Sequence, residues 1–143
     1  MANYYLLAGG HRLLGLLPVA AFDPLARMLA WIFARVLPLR RAVVEENLGI
    51  AFGDLDDAAR RRLLHGIYRH TILFLFESAR LMRLKPEEIL AAVDDPSGAA
   101  EQLLRMQTGN RGFVLPTGHY GNWEWLGAWT ALVLGRPFGA VFK

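Results

Sequence analysis

The stretch Asn110–Thr130, NRGFVLPTGHYGNWEWLGAWT, decides the fold that the sequence predicts. Within it, Phe113-Val114-Leu115 is a short apolar run bounded by Gly112 and Pro116. A short apolar run between such residues is typical of a buried β-strand. We therefore expect a strand here, and with it a sheet.

A helix is predicted directly after this strand. The polar turn that follows ends at Asn122, which has a preferred N-cap side chain, and the apolar segment Trp123–Leu134 ends at Gly135. Phe138–Phe142 is a second apolar run and predicts a second strand. The sequence thus predicts an α/β fold in which residues 112–143 form a right-handed, parallel β-α-β unit.

His119 and Glu124 are the candidate catalytic pair. On one continuous helix a spacing of five would rotate the two side chains by roughly 140°, so they could not meet. With His119 in the loop and Glu124 in the first helical turn, the carboxylate can reach one imidazole nitrogen, and the other nitrogen faces the loop mouth. This is a general-base arrangement, and without a neighbouring Ser or Cys the attacking group is the acceptor's own hydroxyl. The alternative is a helix-capping arrangement without chemistry, and the residues alone leave both open.

The six residues His119-Tyr120-Gly121-Asn122-Trp123-Glu124 resemble the bacterial lipid A biosynthesis acyltransferase family, a lysophospholipid acyltransferase-like family. Its members carry His-x-x-x-x-Glu/Asp after a strand. Asn47-Leu48 and Ala51-Phe52 also match the family pattern, while Gly53 stands where proline is common. Since proline and glycine both break helices, this departure is mild.

The resemblance implies an enzyme, an O-acyltransferase in which His119 is the general base and Glu124 orients it. Backbone N–H groups near Gly121 and Asn122 are candidates for holding the oxyanion, which follows only from the physics of a helix start. Tyr120, Trp123 and Trp125 are candidates for lining an acyl groove. The alternative for tryptophans at helical spacing is a place in the core. We predict a core position for Trp129 and leave Trp125 open.

The resemblance also implies the substrates and the location. The donor is a fatty acyl thioester on acyl carrier protein or coenzyme A, and the acceptor is a hydroxyl of a lipid A-type membrane glycolipid. No metal, no tightly bound cofactor and no nucleic-acid partner is expected, and the location is the cytoplasmic face of the bacterial inner membrane. Two alternatives stay open: another glycolipid or phospholipid acceptor, and a non-catalytic, membrane-bound helical fragment.

Residues 1–39 are predicted to be a membrane-associated helical region. Hydrophobic residues make up 54% of the chain, and residues 1–44 carry a single acid, Asp23, against the arginines Arg12, Arg27, Arg35, Arg40 and Arg41. This basic, apolar pattern fits helices lying on an anionic membrane surface. The alternative is an ordinary helical hairpin with arginines pointing outward.

The helices of the N-terminal region are predicted from their end signals. The uninterrupted apolar length in Tyr4–Phe22 falls short of a spanning helix. Asp23-Pro24 has the pattern of an N-cap followed by proline at the first helical position, which predicts a helix over Leu25–Leu37.

Residues 40–111 are predicted to be the helical part of the acyltransferase domain. Helices are expected over Arg40–Phe52 and Asp57–Arg83, with two short ones after them. In the long helix, an apolar stripe is predicted to pack, and it comprises Leu64, Ile67, Thr71, Phe74, Ser78 and Met82. The run Arg60-Arg61-Arg62 is interpreted as solvated, with phosphate binding as the alternative.

Residues 112–143 complete the three-part division with the β-α-β unit and its catalytic motif. Two parallel strands cannot bury both faces and both edges of a sheet. The family's domain continues with further strands and helices, so the chain is expected to be a truncated N-terminal half. The resemblance therefore leaves open whether the fragment alone is active.

Overall fold

The computed structural model describes residues 9–108 and 112–139 of the chain. All regular secondary structure in these two ranges is helical, and they contain no β-strand. The predicted α/β fold with a β-α-β unit is therefore wrong for this structure.

The predicted first strand fails because it has no partner. Residues 112–118 have no regular secondary structure, and Val114 is 91% exposed. A strand takes its hydrogen bonds from a neighbouring strand, whereas a helix makes them within its own segment. The described residues offer no such neighbour. Residues 138–139 of the predicted second strand are irregular, and the rest of it lies outside the described residues.

The described residues form six α-helices and one 3-10 turn, and residues 9–14 are also helical. In chain order these elements are the 3-10 turn Val19–Ala21, α1 (Phe22–Arg35), α2 (Arg41–Phe52), α3 (Asp57–Leu81), α4 (Pro86–Ala92), α5 (Ala99–Gln107) and α6 (Trp123–Leu134). No helix among them has the length and apolar character needed to cross a bilayer.

The helix predicted over Leu25–Leu37 is present, but the prediction of where it starts is wrong. The helix α1 begins at Phe22, so Asp23 lies in its first turn instead of capping it. There Asp23 accepts a hydrogen bond from Arg27 at 2.7 Å and one from Arg69 Nε at 2.8 Å. The pKa of Asp23 lies below its usual value, mainly because of the hydrogen bond from Arg69 and then because of the one from Arg27. Asp23 thus joins α1 to α3.

The chain divides into two compact units, Met1–Ala79 and Arg80–Lys143. The predicted three-part division at residues 39 and 111 stays a prediction. In the first unit α1 packs against α3, and Ala26 and Ala30 of α1 are both 0% exposed. The buried residues of this core are Phe22, Ala26, Ala30, Leu64, Tyr68, Ile72 and Phe76.

The buried face of α3 differs from the predicted stripe. Leu64 and Ser78 are buried as expected, but Ile67, Thr71 and Met82 are exposed. The buried row continues from Leu64 in steps of four through Tyr68 and Ile72. Steps of three and four both keep residues on one side of a helix. The position of α1 selects among these neighbouring faces, and the sequence of α3 alone does not contain that information.

In the second unit, α4, α5 and α6 share one apolar core. Ile89, Leu103, Trp129 and Leu134 are buried there, so the predicted core position of Trp129 is confirmed. Gln107 at the end of α5 donates a hydrogen bond from Nε2 to the carbonyl of Leu134 at 3.1 Å. This core fixes the helix that carries Glu124.

Asp95 fixes the start of α5. Its two carboxylate oxygens accept hydrogen bonds from the backbone N–H groups of Ala99 and Ala100, each at 2.8 Å. These hydrogen bonds hold the pKa of Asp95 below its usual value of 3.8, and the bond from Ala100 has the larger effect. Because bonding to the charged form lowers this pKa in the folded state, ionised Asp95 stabilises the fold.

We expect Asp95→Asn to lower the melting temperature at pH 7, where Asp95 is ionised in both states. The folded-state pKa of Asp95 lies below its usual value of 3.8. The stability that ionised Asp95 contributes is therefore complete above the pKa of the unfolded state, and it is lost as the pH falls through the folded-state pKa. The difference in melting temperature between the two proteins should therefore shrink below about pH 4. Thermal unfolding followed by circular dichroism at pH 7, 5 and 3 measures it. A difference that stays constant down to pH 3 would contradict the assignment.

Candidate functional site

The motif loop leads into α6 as the sequence predicts. Asn122 is the N-cap, and its Oδ1 accepts a hydrogen bond from the backbone N–H of Trp125 at 3.3 Å. The helix ends at Gly135, whose φ of 63° lies in the left-handed region that glycine adopts easily. The predicted helix Trp123–Leu134 and its N-cap are thereby confirmed.

His119 lies on the exposed loop before the cap. Its ring lies in a T-shaped arrangement with the Trp123 ring, with centroids 5.1 Å apart and planes inclined by 77°. The structure gives no hydrogen bond or ion pair between His119 and Glu124, although it describes both residues. The expected contact between imidazole and carboxylate is therefore not formed in this conformation.

Glu124 is half-buried in the first turn of α6, where the positive end of the helix favours a carboxylate. The side chain that caps this helix belongs to Asn122. Asn122, and neither His119 nor Glu124, therefore supplies the N-cap side chain, and the catalytic role of the pair stays a prediction.

The aromatic candidates are distributed around the loop and the core. Tyr120 is 94% exposed, and its backbone N–H donates to the carbonyl of Gly118 at 2.8 Å. Trp123 is half-buried beside His119, and Trp125 is half-buried against the core of the second unit. The structure thus brings His119 and Trp123 together and leaves Tyr120 in solvent.

The contact between His119 and Trp123 is not predicted by the sequence, in which Glu124 is the expected partner of the imidazole. The signal available for it is weak, since a separation of four residues predicts contact only where the chain is helical. His119 precedes the helix, so its contact depends on the shape of the loop.

Gly121 gives the loop its shape. Its φ is 63°, a conformation that an L side chain adopts only with strain, while open space surrounds the position where a Cβ would stand. Gly118, three residues earlier, has equally open surroundings and no left-handed φ.

We expect Gly121→Ala to lower the free energy of unfolding by about 1 kcal/mol, because alanine in the left-handed region is strained. Gly118→Ala is the matched control, and it should change this free energy by less than about 0.5 kcal/mol. Urea denaturation of the two variants and the wild type measures both values. Equal effects of the two substitutions would show that backbone strain at Gly121 is not the cause.

The described residues contain no cluster of three or more His, Cys, Asp or Glu side chains with the geometry of a metal site. Of the candidate site residues, the structure places His119 and Trp123 in ring contact next to the capped start of α6.

The motif lies within a match to a known protein family. A family model described as bacterial lipid A biosynthesis acyltransferase matches residues 1–142. No curated protein and no solved structure matches the chain.

Proposed function

The chain belongs to the bacterial lipid A biosynthesis acyltransferase family, and from that premise we propose that it transfers a fatty acyl group from a thioester to a hydroxyl of a lipid A-type glycolipid. Its general activity is that of a lipid A-type acyltransferase. The proposal of a thioester donor and a lipid A-type acceptor rests on the family match over residues 1–142, which includes the whole motif from His119 to Glu124.

In the proposed reaction His119 is the general base. It takes the proton from the acceptor hydroxyl as the oxygen attacks the thioester carbonyl carbon. The tetrahedral intermediate then collapses, the carbon–sulfur bond breaks, and the departing thiolate receives the proton from the imidazolium. An ester and a free thiol result, so atoms and charges balance. The exposed position of His119 supports this role, since both substrates must reach it.

Glu124 is proposed to orient His119 and to stabilise its imidazolium form. For this the His119 ring must leave its edge contact with Trp123 and turn toward the first turn of α6. A rotation of an exposed side chain requires no change in the core. Substrate binding beside Trp123 is a reason for the ring to move.

Glu124→Gln tests this positioning role separately. An amide keeps the size of the carboxylate but cannot stabilise the imidazolium by charge, so kcat should fall, while loss of the charge at the helix start should lower the unfolding free energy by no more than about 1 kcal/mol. KM for the acceptor should change much less than kcat, since the assigned role concerns proton transfer. Steady-state kinetics measures both constants. An unchanged kcat would leave Glu124 with a purely structural role at the start of α6.

The remaining site residues are proposed to hold the substrates. Backbone N–H groups near Gly121 and Asn122 stabilise the oxyanion, as the start of a helix favours negative charge. Tyr120, Trp123 and Trp125 contact the acyl chain. The exposed Tyr120 side chain is free of core packing, which suits a group that contacts a mobile substrate.

The donor is proposed to be acyl carrier protein or coenzyme A carrying the acyl thioester, and no metal or tightly bound cofactor takes part. The place of reaction is the cytoplasmic face of the bacterial inner membrane. The basic, apolar N-terminal region supports this location, because anionic lipids attract arginine-rich apolar surfaces.

An assay of product mass tests the proposal. The protein is incubated with acyl-acyl carrier protein or acyl-coenzyme A in detergent micelles that contain either a lipid A precursor or a phospholipid as acceptor. The expected product is the precursor with one added acyl group in ester linkage, detected by mass spectrometry. Acylation of phospholipid but not of the precursor would assign the activity to the alternative acceptor.

A further inference from the structure

A groove of about 590 Å³ in the first unit gathers arginines from three helices. Arg35 comes from the end of α1, Arg41 from the start of α2, and Arg61 and Arg62 from the first turns of α3. The buried side chain of Leu64 lies at its apolar side. Arginines that span residues 35–62 of the sequence thus form one basic surface.

No acidic residue lines this groove, although two carboxylates lie near its arginines. Glu45 forms an ion pair with Arg41, and the charge of Asp56 interacts with those of Arg61 and Arg62. Arg41 donates to Glu45 at 2.8 Å and to the carbonyl of Ala34 at 3.3 Å, so its side chain is held in place. The described structure gives no ion pair to Arg35, Arg61 or Arg62.

Trp31 adds an aromatic surface to the groove. The guanidinium carbon of Arg35 lies 6.0 Å from the Trp31 ring centroid, and Trp31 is 48% exposed. Arginine beside an exposed tryptophan is suited to the boundary between a polar headgroup and apolar chains.

The turn between α1 and α2 carries exposed apolar side chains that lie between Arg35 and Arg41 in the sequence. Val36, Leu37 and Leu39 are each about 60% exposed. Tyr68 holds this turn on α3, because its hydroxyl donates to the carbonyl of Leu39 at 2.7 Å. The exposed apolar side chains are therefore carried by an anchored turn, close in the chain to Arg35 and Arg41.

We propose that this groove binds the phosphate of an anionic membrane lipid, while Leu37 and Leu39 enter the apolar layer of the same membrane. Guanidinium groups match the geometry of phosphate oxygens. The inference rests on the membrane location given in the proposed function. It assigns to Arg61 and Arg62 a binding role, where the sequence alone favoured a solvated run.

A lipid explains more of this surface than an acidic protein does. Acidic side chains would pair with the four arginines, but they give no reason for three exposed apolar side chains in the adjoining turn. A lipid bilayer supplies both phosphate groups and an apolar layer, which suits arginines and exposed apolar side chains that adjoin in the chain.

The test compares two double variants with the same change in net charge. Arg61→Gln with Arg62→Gln removes two groove arginines, and Arg60→Gln with Arg105→Gln removes two arginines that do not line the groove. Each full-length protein is sedimented with vesicles of phosphatidylcholine containing phosphatidylglycerol, and with vesicles of phosphatidylcholine alone. Circular dichroism verifies that both variants are folded.

We expect the groove variant to lose roughly thirtyfold in partitioning to the anionic vesicles, the contribution expected of two arginines at an anionic surface. The control should lose less than about threefold. Leu37→Ser with Leu39→Ser should weaken binding to the same vesicles while leaving the charge unchanged. Equal losses in both charge variants, unchanged binding of the leucine variant, or no binding by the wild type would overturn the inference.

Two further measurements separate this inference from others. Binding to acyl carrier protein is measured for the same variants, and a loss there with vesicle binding retained would overturn the lipid assignment. Acyl transfer in detergent micelles is measured independently of vesicles. Absent transfer with groove-dependent vesicle binding would refute the proposed reaction and leave the groove assignment standing.

Discussion

Replacing His119 by alanine is expected to lower kcat for acyl transfer by about 10²–10⁴-fold, the usual contribution of a positioned general base. Without the imidazole, the acceptor hydroxyl must lose its proton to water during attack on the thioester. KM for the donor should change much less, since the assigned role concerns proton transfer. Steady-state kinetics in detergent micelles with acyl donor and lipid A precursor measures both constants.

His70→Ala is the control for this substitution. His70 is an exposed histidine on α3, and the proposed mechanism gives it no part. Its replacement should leave kcat within about twofold, as surface substitutions usually have small effects. If His119→Ala retains a rate near that of the wild type, the catalytic assignment fails, whatever the control shows.

Local signals in the sequence are sufficient to predict most of the helices. Asn122 and Gly135 bound α6 as expected, and α2 ends at Phe52 before Gly53. These signals succeed because a cap acts within a few residues of itself. Asp23 shows their limit, because Arg69, 46 positions away, takes the carboxylate that would otherwise suit a cap.

Non-local arrangements could not be predicted in the same way. The apolar run Phe113–Leu115 favours a strand, yet a strand forms only where another strand lies beside it, and the described residues supply none. Similarly, the resemblance identified His119 and Glu124, but the conformation of the exposed loop decides that Trp123 is the ring's present neighbour.

Trp129 has the largest expected effect on stability. It is 5% exposed in the core of the second unit, on the same helix that carries Glu124. Trp129→Ala removes a large apolar side chain and leaves a cavity, which should lower the free energy of unfolding by about 3–5 kcal/mol. Hydrogen exchange of the α6 backbone amides, measured by mass spectrometry, reports this local loss directly.

Leu126→Ala is the matched control on the same helix, because Leu126 is 46% exposed and its removal leaves no enclosed cavity. Its effect should be below about 1 kcal/mol. Since α6 holds the motif loop through Asn122, faster exchange in Trp129→Ala should be accompanied by lower acyl transfer that recovers on cooling. Protection of α6 equal in the two variants would mean that Trp129 does not fix this helix, and the site would need another support.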